Sequence, residues 1–168
     1  MKQITLKKSA HFISVILNIG CVIFGIFSVS LFAGIMVIIC AHLFSAEMFE
    51  MVWENAVREG KMISFGQGVL FFICCLGKLV CTFLALYHAK RIFSCIGKGN
   101  SPFTPETGVQ IRKIALYVLL FAVFSVISVF KMSFSSFFMC GLSALILLCI
   151  SLIFDYGCEL QQEIDETL

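Results

Sequence analysis

Between Lys8 and Glu47 the chain runs for 38 residues without an Asp, Glu, Lys or Arg. A membrane-spanning helix needs only about 20 apolar residues to cross a hydrocarbon core of ~30 Å. No proline interrupts the run, so it reads as one long, tilted membrane helix over about 12–42. The rest of the chain agrees. Of its 168 residues 60% are hydrophobic and 13% charged, with a mean hydropathy of +1.04. A soluble domain carries about 25% charged residues, so this chain lacks the polar surface to wrap a water-soluble core. The expected fold class is an all-α membrane protein, its first partner the lipid bilayer. A net charge of +2 is too small to suggest direct nucleic-acid binding.

The opening stretch "MKQITLKKSAHFISVILNIGC" has a basic start, an apolar run and a cysteine, the layout of a lipoprotein signal. Asn18 stands where such a signal wants an aliphatic residue, and the apolar run continues past Cys21 to Cys40. A cleaved signal has an apolar core of only about 7–15 residues. An uncleaved helix is expected.

The remaining charges punctuate the sequence. In "SAEMFEMVWENAVREGK", Met48, Phe49, Val52, Trp53, Ala56 and Val57 fall at helical spacing, with Glu47, Glu50, Glu54 and Arg58 on the other face. This predicts an amphipathic extracellular helix after the first span, with Trp53 at the interface. A second span follows over 65–89. The stretch 90–113 holds the one strong loop signal, with Gly97, Gly99, Asn100, Pro102 and Pro105. Thr104, Pro105 and Glu106 make a helix start: a capping hydroxyl, a proline in the first turn and an acid at the positive dipole end. The third span is then 114–130. A single helix over 114–154 would be about 60 Å long, twice the hydrocarbon thickness, so a turn near Lys131 and a fourth span over 134–154 are required. The whole chain is one integral membrane domain, a four-transmembrane-helix bundle.

Four spans put both ends on one side. Eight basic residues lie there: Lys2, Lys7, Lys8, Lys90, Arg91, Lys98, Arg112 and Lys113. Only Arg58, Lys61 and Lys131 lie on the other. Positive charge marks the cytoplasmic side, so both termini are expected in the cytoplasm, with 90–113 as a cytoplasmic loop.

The last 14 residues carry five acids and no base. Ile153, Gly157, Leu160, Ile164 and Leu168 form one apolar stripe, so the fourth span continues as a cytoplasmic helix over 155–168. Like charges four apart, Asp155 with Glu159 and Glu159 with Glu163, weaken that helix in isolation, and acids crowd its negative dipole end. It calls for a basic partner. Lys90, Arg91, Lys98, Arg112 and Lys113 offer one, and Asp155, Glu159 and Glu163 are expected to dock on them. A cytosolic protein is the rival partner for the tail.

Two stretches, "GKGNSPFTPETGVQIRKIA" and "IFDYGCELQQEIDETL", resemble the signature segments of domain-of-unknown-function family 2975 (DUF2975). Pro102, Phe103, Thr104, Arg112, Tyr156, Gly157, Leu160 and Gln161 carry the resemblance. It implies a small bacterial plasma-membrane protein of four helices. Members of that family are often encoded beside a small helix-turn-helix protein, which implies a DNA-binding regulator as the cytosolic partner.

Chemistry has little to stand on. No metalloprotease, hydrolase or phosphate-loop motif is present, so no enzyme activity and no cofactor are expected. The nine cysteines lack zinc-site spacing, and Cys95 beside Lys90 and Arg91 is a lipidation candidate. His11, His42 and His88 sit at span ends, read as interfacial. Lys78 is the one charge inside a span; intramembrane charges usually face a bundle interior or cavity, with Ser28, Ser30, Ser125, Ser128 and Ser143 as candidate partners. Ser30 with Gly34, and Gly141 near Ala144, offer close-packing faces, within the chain or in a homodimer. The expected function is a non-enzymatic regulatory or interaction protein of the membrane. The alternative is a small transporter or channel component with Lys78 in a polar path.

Overall fold

Leucine, isoleucine, phenylalanine and valine fill the long apolar runs, and in such a chain the backbone satisfies its own hydrogen bonds most simply as helix. A computed structural model shows this outcome. It describes residues 2–44, 47, 54, 58, 65–99, 104–128 and 134–167. Four long helices follow in order: α1 (Lys2–Phe44), α2 (Phe65–Gly97), α3 (Pro105–Ser128) and α4 (Phe134–Thr167). All four are long and apolar enough to cross a membrane. The described residues contain no strand. The amphipathic segment around Trp53, and the turn at Lys131, lie outside the described residues.

The helices outrun the expected spans. The connection 90–113 is helical from Lys90 to Gly97, beyond the expected end of the second span, and again from Pro105 to Lys113, where Thr104, Pro105 and Glu106 predict a helix start. Its cations therefore sit on the ends of α2 and α3, where the apolar pattern fades but helix continues. Gly99 closes α2 with φ = 93°, a backbone region that glycine enters without steric cost. Lys98 N–H donates to the Ser94 carbonyl at 3.2 Å and Gly99 N–H to that of Ile96 at 2.9 Å, capping the last turn. Thr104 starts α3 as expected: Thr107 N–H lies 3.4 Å from the Thr104 hydroxyl and 2.9 Å from its carbonyl.

Each helix packs on its neighbour in sequence: α1 on α2, α2 on α3, α3 on α4. Among the described residues α1 and α4 share no such seam, so the four form an open row with α1 and α4 at its edges. The α1–α2 seam repeats every seven residues on both strands of the hairpin. A β-carbon at Gly97 would lie 3.5 Å from the His11 backbone, Lys90 bonds Asn18 at 2.7 Å, and a β-carbon at Gly25 would lie 3.5 Å from the Phe83 ring. That is the register of a left-handed antiparallel pair.

α3 serves two neighbours. Gln110, Tyr117 and Phe124, again seven apart, reach α2: the first two meet His88, and Phe124 lies where a β-carbon on Gly77 would come within 2.8 Å. Gly108 and Arg112 face α4. Ala115 and Ala122 of α3 are buried, small positions that let the backbones approach closely. Large apolar side chains point outward instead, among them Phe12, Ile26, Val37, Leu145 and Ile153.

Candidate functional site: a polar layer at the basic end

Polar side chains join all three seams at the end of the molecule where α2 turns to α3. Between α1 and α2, Lys90 Nζ donates to Asn18 Oδ1 at 2.7 Å. Between α2 and α3, His88 Nδ1 donates to Gln110 Oε1. The His88 ring stacks on Tyr117 (5.5 Å, 17°) and meets Tyr87 edge-on (5.6 Å, 80°). Between α3 and α4, Arg112 uses both arms of its fork: Nε donates to Ser151 Oγ at 3.1 Å, and an Nη pairs with Asp155. Ser151 Oγ in turn donates to the Gly108 carbonyl at 3.1 Å.

These contacts share one level. His88 and Lys90 are two residues apart on α2, as are Gln110 and Arg112 on α3, an axial offset of about 3 Å in each case. The layer therefore fixes the relative heights of all four helices.

The α3–α4 clamp is the most heavily bonded part. Gly108 and Arg112 are four apart on α3, and Ser151 and Asp155 four apart on α4, so each pair lies on one helix face. Ser151 is fully enclosed (0% exposed), yet its hydroxyl both donates and accepts, so burial leaves it satisfied. Arg112 and Asp155 side chains keep 51% and 31% of their exposure; the guanidinium divides its bonds between Ser151 and Asp155, and the ion pair is only half withdrawn from solvent, which places it between a weak surface pair and a buried one. Gly108 is required by the approach: a β-carbon there would collide with the Asp155 carboxylate and lie 3.8 Å from the Ser151 carbonyl.

The expected loop–tail contact is realised between Arg112 and Asp155. Arg91 instead lies 4.0 Å from Glu106, with both side chains well exposed, and Lys90 takes Asn18. Lys98, Lys113 and Glu159 are exposed. The reason is geometric: α4 continues as one helix to Thr167, so its acids travel away from the turn rather than folding back over it. Of the motif residues, Thr104 caps α3, Tyr156 and Leu160 are exposed, Gly157 is half-buried, and Pro102 and Phe103 lie outside the described residues. Gln161 is helical.

Lys78 is half-buried near the middle of α2, and Thr82 Oγ1 donates to its carbonyl at 2.9 Å. Two of its candidate partners are engaged on their own helices, Ser28 with Phe24 O and Ser143 with Met139 O, each at 2.8 Å. Gly34 and Gly141 face open space, so the close-packing positions within the chain are Gly77 and Gly108 instead. His88 is buried against α3, where it meets Gln110. Asn18, His88 and Gln110 were not singled out as partners of one another by sequence. The available signal was a polar residue at one level of each apolar helix.

Comparison with family models, with curated proteins and with solved structures finds no match for this chain.

Proposed function

We propose that the chain is a non-enzymatic, multi-pass protein of the bacterial plasma membrane with both termini in the cytoplasm. Its basic end serves as a docking platform for a cytosolic protein. The resemblance to family 2975, and that alone, supports a DNA-binding regulator as the partner.

The observation that carries this reading is the shape and charge of the two edge helices beyond the polar layer. α2 ends at Gly97, seven residues past Lys90, an advance of about 10 Å. α4 continues twelve residues past Asp155, to Thr167, about 18 Å. It carries Glu159 and Glu163 exposed along this stretch. On the opposite edge of the row α1 also extends beyond the layer and carries Lys2, Lys7 and Lys8. An acidic prong and a basic prong thus flank the ends of α2 and α3. A partner with charges arranged in the opposite sense gains orientation and encounter rate from such a face. A groove along the α1–α2 seam is lined by Lys90 and not by Lys78, so the transport reading draws no support from it.

Photo-crosslinking in cells tests the proposal. A crosslinking residue at Glu159 and, separately, at Lys113 is expected to capture one and the same soluble protein, and the same residue at Val29 is expected not to capture it. Products containing only lipid or this chain from both Glu159 and Lys113 contradict the proposal.

A further inference from the structure

An open groove of about 620 Å³ runs along the α1–α2 seam. Gly25, Val29 and Ser30 of α1 and Phe83, Tyr87 and Lys90 of α2 line it. Its walls are mainly apolar, with the Ser30 hydroxyl at the deep end and the only charge, Lys90, at the other, in the polar layer. From Cys21 to Ser30, the α1 residues that bound it, the helix rises about 14 Å. That is half of a ~30 Å hydrocarbon core, the depth of one leaflet. With the polar layer at the membrane surface, Ser30 lies twelve residues past Asn18 on α1, about 18 Å, so the groove leads from the basic end to about mid-depth.

The charge at its mouth is specific. Lys90 bonds a neutral amide, Asn18 Oδ1, at 2.7 Å. That bond orients the ammonium without cancelling its charge. Tyr87 lines the groove one turn deeper, an amphipathic ring at the depth where headgroup meets acyl chain. A second protein helix laid in this groove would cover the Lys90 charge with apolar surface, at a desolvation cost. A phospholipid with a net negative headgroup covers the same surface and brings the counter-charge.

We propose that this groove is a binding site for an anionic phospholipid of the leaflet at the basic end. One acyl chain lies along Gly25, Val29 and Phe83, and the phosphate accepts hydrogen bonds from Lys90. The site rests on the four helices spanning a bilayer. It does not depend on the cytosolic partner proposed above.

The test uses the full chain in nanodiscs of equal phosphatidylglycerol and phosphatidylcholine with identical acyl chains, released for native mass spectrometry. Wild type is expected to retain phosphatidylglycerol over phosphatidylcholine by about fivefold, the effect of one lysine at a membrane surface. Lys90→Gln is expected to bring the ratio close to one, and Lys90→Arg to keep it. Val29→Trp, which fills the groove, is expected to lower retention of both lipids. Circular dichroism confirms that each variant is folded, and the Lys90→Arg result decides the matter if Lys90→Gln is not. A wild-type ratio of one overturns the proposal, as does a preference that survives in Lys90→Gln or vanishes in Lys90→Arg. A two-chain mass that Val29→Trp splits, with lipid retention unchanged, overturns it in favour of a second copy. Crosslinking from Glu159 reads the partner face independently of every one of these outcomes.

Discussion

The α1–α2 seam and the α3–α4 seam hold two helices together by different means. The first is long and shape-matched, with contacts repeating every seven residues from His11 and Gly97 to Gly25 and Phe83. A polar bond in it joins a lysine to a neutral amide, and a groove remains along it. The second concentrates its polar contacts at one point, where Arg112, Asp155, Ser151 and the Gly108 carbonyl interlock. Between helices surrounded by lipid, burying apolar surface gives no driving force, and close packing and polar bonds remain. One seam relies mainly on the first of these and the other adds the second. A distributed seam should tolerate single changes, and a concentrated one should not.

Two glycine substitutions set the seams against each other. Gly108→Ala puts a methyl group into the Asp155 carboxylate, so the clamp must open or α4 must move; the expected loss is about 2–3 kcal/mol of unfolding free energy in nanodiscs, read by steric trapping. Gly20→Ala in the other seam brings a methyl group 3.3 Å from Leu86 Cδ1, the tip of a flexible side chain, and about 1 kcal/mol or less is expected. Equal losses at the two sites would erase the distinction. The smallest effect is expected at Glu159, which is exposed on α4 one turn past the clamp. Glu159→Lys should shift stability by no more than about 0.5 kcal/mol, while lowering the yield of the crosslinked partner. A loss as large as that of Gly108→Ala would mean that the tail docks more widely on this chain than the Arg112–Asp155 pair.

What sequence made legible follows the range of the physics. Helix spans depend on local hydropathy, and the charge-free run, the Thr104 cap and the start of α4 at Phe134 could be read residue by residue. The extension of α2 to Gly97 is not legible in hydropathy, because the apolar run ends at the first cations, although Lys90 and Arg91 lie in a helix that Gly99 closes. The acidic tail announced a need for a cation, and Arg112 was among five named. Choosing it required knowing that Gly108 lets α4 approach and that Ser151 and Asp155 share a face. Such choices depend on side-chain shape across segments about 40 residues apart, which hydropathy does not carry. His88 with Gln110 and Asn18 with Lys90 stayed hidden for the same reason: each looks like an isolated polar residue until the helices are set side by side.

One charged pair at the basic end, Arg112 with Asp155, holds α4 against α3 and so aims the tail outward. A double-mutant cycle on Arg112 and Asp155, by steric trapping in nanodiscs, tests it most directly. Arg112→Asp and Asp155→Arg should each cost about 2 kcal/mol, since each sets like charges against one another in a half-buried site, and the double exchange should recover at least half of the summed loss. Single variants as stable as wild type, or a double exchange that loses the sum of the two, would contradict the account.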